Sequence, residues 1–198
     1  MIRATGNMTL SKIVLSSLLI ALLVFYLPAS IAQDKGDDNQ ELLAILKKTI
    51  GKSDSFEDEF DAQVWLVSKS EPLKRYIKDE EKRLDLLRRI HRAATRAGLS
   101  PEIVLAVIQI ESAFNPYALS HAGAQGMMQV MPFWKNEIGR PDDNLIDIET
   151  NLRYGCTILK HYLDRENGHL TNALARYNGS YGKYWYPEKV LVAWERWR

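Results

Sequence analysis

Glu111 ends an apolar stretch that begins at Ile103, and it is the side chain best suited to acid–base chemistry in this sequence. Ser100 and Pro101 precede the stretch and are typical of a helix N-cap and first turn. At helical spacing Glu111 shares a face with the apolar Ile108. Burial and the negative end of the helix dipole both disfavour an ionised carboxylate there. Departures from local rules of this kind are typical of functional sites.

Burial raises the pKa of a carboxyl group, so Glu111 is expected to hold a proton near neutral pH. That property suits a general acid that protonates the leaving oxygen of a glycosidic bond. The alternative is a buried glutamate satisfied by backbone amides. A glycosidase with two carboxylates needs a second acid, and the sequence has no Asp or Glu between Ser112 and Asn136.

Further polar and aromatic side chains that suit a sugar ligand follow Glu111. The Gln129 amide offers donors and acceptors for sugar hydroxyls and N-acetyl groups. Tyr177 is expected to donate a hydrogen bond to Glu111, and Asn178 either holds an acetamido group or caps a helix. An aromatic cluster able to stack on sugar faces comprises Tyr181, Tyr184, Trp185 and Tyr186. For Tyr184 and Trp185, core packing is the alternative.

The remaining residues of these segments have alternatives of their own. Ser112 either helps to place the ligand or is an ordinary hydroxyl at a helix end. Met127 and Met128 either line the site or belong to the core. Gly123 and Gly126 permit positive φ or a close approach of backbone to a ligand.

Four short motifs resemble the catalytic core of the soluble lytic murein transglycosylases, the SLT domain, whose fold is similar to goose-type lysozyme. They are Glu111-Ser112, Gly126-Met127-Met128-Gln129, Ala175-Arg176-Tyr177-Asn178 and Tyr186 before Pro187. The family pattern is Glu-Ser, Gly-Leu-Met-Gln, Ala-x-Tyr-Asn and a late Tyr, and the resemblance covers residues 80–198. Met127 replaces the family's Leu. The segment after Asn178 differs from the family's Ala-Gly-Pro-Gly, so the groove wall and subsite preference are expected to differ.

The resemblance implies that Glu111 is the sole catalytic acid/base. It implies cleavage of the bond between N-acetylmuramic acid and N-acetylglucosamine in peptidoglycan. The C6 hydroxyl of the muramyl sugar attacks C1 and leaves a 1,6-anhydro end, so the reaction is that of a lyase. An intramolecular nucleophile removes the need for a second carboxylate. The substrate-binding residues that the resemblance implies are Ser112, Met128, Gln129, Tyr177, Asn178 and Tyr186.

Two other functions stay open. A goose-type lysozyme hydrolyses the same bond, and its second carboxylate would come from Asp142, Asp143 or Asp147. A non-catalytic peptidoglycan-binding or assembly protein is the third hypothesis, and the intact Glu111 and Gln129 argue against it.

The composition limits the kinds of partner that the chain is expected to bind. The 26 basic and 25 acidic residues give a formal charge of +1, so no nucleic-acid partner is expected. Cys156 lies on an apolar helix face and is predicted to be an inert buried thiol. The four histidines lack ligand spacing, so neither a metal nor another cofactor is expected. The expected partner is the peptidoglycan glycan strand, bound by a monomer.

The first 32 residues are predicted to be a secretory signal peptide. Arg3 and Lys12 precede an apolar run from Ile13 to Leu27, and small residues lie before Gln33. An uncleaved anchor is the alternative. A periplasmic location follows, with membrane contact only through this segment. Residues 33–78 are predicted to be a tether with accessory helices, and residues 79–198 the catalytic domain.

The elements that must position these residues are predicted to be helices. The predicted helices span residues 41–50, 60–67, 79–97, 101–112, 127–138, 149–166, 171–177 and 188–197. The helix over 79–97 has an inner stripe of Leu84, Leu87, Ile90 and Ala94, and the basic residues of 74–96 are expected to form a solvated, salt-bridged face. No alternating strand pattern occurs. The predicted fold is therefore all-α, a lysozyme-like helical domain with a substrate groove around Glu111.

Overall fold

The computed structural model describes residues 44–46, 55–56 and 58–198, and its regular elements there are helices. They are α1 (Glu59–Leu73), α2 (Glu80–Arg96), α3 (Pro101–Ser112), α4 (Trp134–Ile138), α5 (Ile148–Arg165), α6 (Leu170–Tyr177) and α7 (Trp185–Trp197). Residues 44–46 are also helical. The all-α prediction is confirmed. The predicted signal peptide, and the rest of the predicted helix over 41–50, lie outside the described residues.

Helix α3 is the central element of the described part. Its residues from Ile103 to Ile108 are all buried, and it packs against α2 and most extensively against α7. A helix that is apolar on every side is stable only when other elements surround it. The predicted burial of this helix is confirmed. Ser100 lies at its N-cap, although the Ser100 hydroxyl donates to the Glu102 carboxylate at 2.6 Å instead of capping the backbone.

Helix α2 packs through the predicted inner stripe. Leu84, Leu87, Ile90 and Ala94 are fully buried. The helix ends before Gly98, whose φ of 68° is the left-handed conformation common after helix ends.

The basic residues of this region are only partly solvated. Arg83 and Arg88 are buried. The Arg83 guanidinium donates to the Ser70 hydroxyl at 3.0 Å and to the Lys78 carbonyl at 2.7 Å. The prediction of a solvated face is therefore wrong for these two arginines, because their side chains are buried, although both form the predicted ion pairs, with Glu80 and Asp85. The more exposed Arg89 does form ion pairs on the surface, as predicted.

Helix α1 packs onto the helices that follow it. The Trp65 indole donates to the Glu102 carboxylate at 2.7 Å, and the Lys69 ammonium donates to the Arg198 carbonyl at 3.2 Å. The described part of the predicted accessory segment is thus attached to α3 and to the C-terminal residue. The division of the chain at residue 79 stays a prediction.

The predicted helix over 127–138 is wrong for its first half. Only Trp134–Ile138 is helical. Gln125 and Val130 exchange two backbone hydrogen bonds of 2.9 Å, which close a tight loop. Gln129 has a φ of 48°, outside the helical region, and Pro132 has no backbone donor. These contacts satisfy the backbone without a helix.

The last three helices are present, with earlier starts than predicted. Helix α7 begins at Trp185, so Tyr186 and Pro187 belong to its first turn, where proline is tolerated. Helix α5 contains Cys156, which is buried as predicted, and burial raises the pKa of its thiol to about 12. The thiol is therefore inert.

Within residues 44–46, 55–56 and 58–198, no single helix is long and apolar enough to cross a membrane. Helices α2 and α3 satisfy such a test of length and composition only as a pair bent by 118°.

Leu105 tests the central position of α3. The side chain is 0% exposed, so Leu105→Ala should lower the free energy of unfolding by about 2–5 kcal/mol in urea denaturation. The matched control is Val192→Ala, at a side chain 57% exposed, for which a change within about 0.5 kcal/mol is expected. Equal effects of the two substitutions would contradict this packing.

Candidate active site

Glu111 lies in the last turn of α3, and the chain reverses immediately after Ser112. Ala113 and Phe114 follow with φ values of 49° and 65°. Positive φ is costly for a bulky residue such as phenylalanine and persists only where packing imposes it. Phe114 is buried, with ring centroids 4.9 Å from Tyr76 and 5.7 Å from Trp197. Aromatic packing therefore fixes the turn beside the acid.

The Glu111 carboxyl group is largely buried and has one hydrogen-bond donor among the described residues. The Tyr186 hydroxyl donates to Glu111 Oε1 at 2.6 Å. Burial raises the pKa of Glu111 to about 7, and the hydrogen bond from Tyr186 opposes that rise because it favours the charged form. Glu111 can thus release and regain a proton near neutral pH.

Tyr177 lies close to Glu111 without the predicted hydrogen bond. Its hydroxyl donates to the Met128 carbonyl at 2.7 Å. Burial, together with the nearby charge of Glu111, raises the pKa of Tyr177 well above its ordinary value of 10.0. The prediction that Tyr177 donates to Glu111 is therefore wrong. Tyr186 makes that bond, and Tyr177 binds the loop over 125–130 at the Met128 carbonyl.

The Gln129 side chain uses its amide nitrogen for hydrogen bonds inside the loop. Its Nε2 donates to the carbonyls of Ala118 at 3.2 Å and Gly126 at 2.9 Å. Within the described part of the chain, the side-chain carbonyl oxygen has no hydrogen-bond partner. Only this acceptor is left for a ligand.

The two methionines of the loop belong to the core. Met127 is 2% exposed and Met128 is 0% exposed. Met128 packs against Gly155 of α5 so closely that a Cβ there would lie 2.3 Å from the methionine Sδ. A side chain without exposed surface offers a ligand nothing, so the core alternative has the support for both residues.

Asn151 of α5 is a buried polar residue beneath this loop. It is 1% exposed. Its Oδ1 accepts the Met128 N–H at 2.8 Å, and its Nδ2 donates to the carbonyls of Gln125 and Leu145, each at 2.8 Å. The sequence gives no signal for it beyond a polar residue one helical turn from Gly155, on a face that is otherwise apolar.

The other predicted site residues differ in exposure. The Ser112 hydroxyl donates to the Ile108 carbonyl at 3.2 Å, which supports its alternative as an ordinary helix-end hydroxyl. Asn178 is the C-cap residue of α6, and its side chain is exposed. Tyr184 and Trp185 are exposed, which argues against the alternative that they pack in the core. Tyr181 is also exposed, and the Arg176 guanidinium lies 3.7 Å from the centre of its ring.

The three carboxylates considered as a second acid differ in the hydrogen bonds that they already accept. Asp143 accepts hydrogen bonds from the Tyr154 hydroxyl at 2.6 Å and from Arg153 at 3.0 Å. These bonds, that of Tyr154 first, lower the pKa of Asp143 to about 2. Asp147 is the N-cap of α5 and accepts the Thr150 N–H at 2.9 Å. Asp142 is exposed.

No group of three or more His, Cys, Asp or Glu side chains in the described ranges is arranged to hold a metal ion.

Comparison with known proteins adds to this geometry. A family model described as the transglycosylase SLT domain matches residues 88–189. A transglycosylase of Enterobacteria phage PRD1 is 34% identical over 105 residues, which cover 50% of this chain and 39% of the relative. A membrane-bound lytic murein transglycosylase C of Photorhabdus laumondii is 34% identical over 109 residues, covering 47% of this chain and 30% of the relative. The chain thus spans about a third of the length of these relatives.

A solved structure is also similar. It is an inactive mutant of the lytic transglycosylase Slt from Pseudomonas aeruginosa, with 25% identity and a TM-score of 0.43, covering 79% of this chain and 26% of that chain.

The buried acid predicts a pH-dependent stability. The pKa of Glu111 is about 7 in the folded chain against an ordinary value of 4.5. Its neutral form therefore stabilises the fold fully below pH 4.5, and this contribution is lost as the pH rises to about 7. Relative to Glu111→Gln, the wild-type free energy of unfolding should fall across that window by up to about 3 kcal/mol. Glu137→Gln, at an exposed glutamate, should follow the wild type. Parallel curves for wild type and Glu111→Gln would contradict the burial.

The hydrogen bond from Tyr186 predicts that the pKa of Glu111 shifts when this tyrosine is replaced. Because the Tyr186 hydroxyl favours the charged carboxylate, Tyr186→Phe should raise the pKa of Glu111 above its value of about 7. An NMR titration of protein carrying ¹³C-labelled glutamate measures it. Tyr184→Phe, at a side chain 61% exposed, is the control and should leave the titration unchanged. A lowered pKa in Tyr186→Phe would refute the role of this bond.

Proposed function

The chain belongs to the transglycosylase SLT domain family, and we propose that it is a peptidoglycan lytic transglycosylase. It cleaves the β-1,4 bond between N-acetylmuramic acid and N-acetylglucosamine without water and leaves 1,6-anhydro-muramyl ends. The observation that carries the proposal is a single buried acid, Glu111, with a pKa of about 7 and a hydrogen bond from Tyr186.

The reaction needs Glu111 in both protonation states. Protonated Glu111 donates its proton to the glycosidic oxygen as the bond to C1 breaks, and N-acetylglucosamine leaves with that proton. The Glu111 carboxylate then accepts the proton of the muramyl C6 hydroxyl as that oxygen bonds to C1. The acid is restored, and no water is consumed. A pKa near neutrality suits a group that must give and take a proton in one cycle.

Tyr186 stabilises the intermediate state of this cycle. When Glu111 has lost its proton, a buried carboxylate would be costly without a donor. The Tyr186 hydroxyl supplies that donor at 2.6 Å. Its own pKa is raised well above 10.0 by burial and by the charge of Glu111, so Tyr186 remains a donor throughout.

We assign substrate contacts according to what each side chain leaves free. The Gln129 carbonyl oxygen accepts from sugar hydroxyl or acetamido N–H groups, and the exposed Asn178 amide binds an acetamido group. Exposed Tyr184 and Trp185 stack on sugar faces. Met128 and Tyr177 act by shaping the loop, through the hydrogen bond between them.

The proposed setting is the bacterial cell envelope, in keeping with the relatives named membrane-bound lytic murein transglycosylase C. The finer proposal is that residues 1–32 direct the chain across the inner membrane and that it acts in the periplasm. There a monomer binds the glycan strands of peptidoglycan.

Mass spectrometry of digested peptidoglycan sacculi tests the reaction. We expect 1,6-anhydro-muramyl ends, with a rate that falls above pH of about 7 as the general acid ionises. Glu111→Gln should keep its fold and lose about 10²–10⁴-fold in turnover, whereas Glu137→Gln should not.

The same digest separates the other hypotheses. Reducing ends alone would identify a goose-type lysozyme. Absence of cleavage, together with a Glu111→Gln variant that still performs the cellular role, would identify a non-catalytic wall-binding protein.

A further inference from the structure

The buried amide of Asn151 uses both of its polar atoms on backbone groups outside its own helix. Its Oδ1 accepts from Met128 N–H, and its Nδ2 donates to the carbonyls of Gln125 and Leu145. The residue is 1% exposed, so these are bonds of the dry interior. A buried amide this well satisfied fixes the position of each partner, since breaking any one bond leaves an unpaired polar group.

Two of the three bonds, those to Gln125 and Met128, hold the same loop. Gly126 lies between these two residues. It is so close to the amide that a Cβ at that position would be 2.4 Å from Asn151 Nδ2. Gly126 has a φ of 74°. The glycine is therefore required by the neighbouring asparagine as well as by its own backbone conformation.

The Met128 backbone connects Asn151 to Tyr177. Its N–H binds Asn151, and its carbonyl accepts the Tyr177 hydroxyl at 2.7 Å. Tyr177 in turn lies near enough to Glu111 for the charge of the carboxylate to raise the pKa of the phenol. A continuous line of hydrogen bonds thus runs from α5 through the loop to Tyr177 of α6.

We infer that Asn151 is a positioning residue for the site around Glu111, because it holds the Gly126–Gln129 loop and, through the Met128 carbonyl, the Tyr177 hydroxyl. This inference rests on the proposed function for its catalytic readout. Asn151 touches no reacting atom, and its effect passes through its bonds to the Gln125 carbonyl and the Met128 N–H. The same loop carries Gln129, whose Nε2 is held by the Gly126 carbonyl.

The amide cannot be replaced by a carboxylate. Asn151→Asp keeps the shape and the acceptor for Met128 N–H. It loses both N–H donors and sets an oxygen against the carbonyl oxygens of Gln125 and Leu145. The loop is then expected to move off α5, and water gains access to Glu111.

The experiment compares Asn151→Asp with Asn144→Asp. Asn144 is exposed, and its side chain only accepts a hydrogen bond, from Ile146 N–H at 3.0 Å, which aspartate also accepts. Three quantities are measured at a temperature where each variant is folded. They are kcat and KM on purified peptidoglycan, the pKa of Glu111 by NMR of ¹³C-labelled glutamate, and hydrogen exchange of the Met128 amide.

For Asn151→Asp we expect kcat to fall about 100-fold, the size of effect that a small misplacement produces. The Met128 amide should exchange faster, and the Glu111 pKa should move from its value of about 7. The alkaline limb of the pH–rate profile should move in the same direction as this pKa. Asn144→Asp should match the wild type in all three measurements.

A folded Asn151→Asp variant with unchanged kcat and Glu111 pKa would overturn the inference, even if its melting temperature were lower, because Asn151 would then serve stability alone. The pKa and exchange measurements do not depend on turnover. If wild-type protein released no anhydro product, the proposed function would fail while these two measurements still decided the role of Asn151.

A second pair of variants covers the case in which Asn151→Asp does not fold. Gly126→Ala presses on the same amide from the loop, whereas Gly168→Ala carries similar backbone strain, with a φ of 83° and no atom within 4 Å of the added Cβ. Gly126→Ala should show the expected fall in kcat and the change in the Glu111 pKa, and Gly168→Ala should show neither. Equal behaviour of the two variants would overturn the inference.

Discussion

The cost of burying the Glu111 carboxyl group is the constraint on which the rest of this structure depends. The group lies where both burial and the helix dipole disfavour charge, and Tyr186 is its one hydrogen-bond donor among the described residues. The result is an acid with a pKa of about 7, which neither a solvated nor a fully paired glutamate would have. Helix α7 contributes by packing against α3 and placing Tyr186 beside this last turn.

Both ends of helix α7 help to hold Glu111 in its buried position. Its first turn supplies Tyr186, which binds the acid, and its last turn supplies Trp197, which packs against Phe114. Phe114 is held at a φ of 65° directly after the turn that follows the acid. The strain of that turn is compensated by buried aromatic surface, so the position of the acid depends on the packing of Phe114. Stability and chemistry therefore share the α3–α7 interface.

Periodicity was sufficient to predict the helices, because an apolar stripe such as that of Leu84, Leu87 and Ile90 is a local property. Local pattern was not sufficient for the loop over 126–133, where Asn151 and Tyr177 satisfy the Met128 backbone from distant positions in the chain. The exchange of roles between Tyr177 and Tyr186 has the same origin. Motif order brings both tyrosines to the site, but only the register of α6 and α7 against α3 decides which hydroxyl meets the acid.

Positioning also determines which hydrogen-bonding groups the site offers a ligand. The donors of Gln129 are spent on the carbonyls of Ala118 and Gly126, and those of Asn151 on Gln125 and Leu145. Within the described residues, the acceptor that the Gln129 side chain leaves free is its amide oxygen. A free acceptor suits ligands that carry hydroxyl or N–H donors. N-acetylated sugars carry both kinds of donor, so the groups that hold the loop in place are consistent with the proposed substrate.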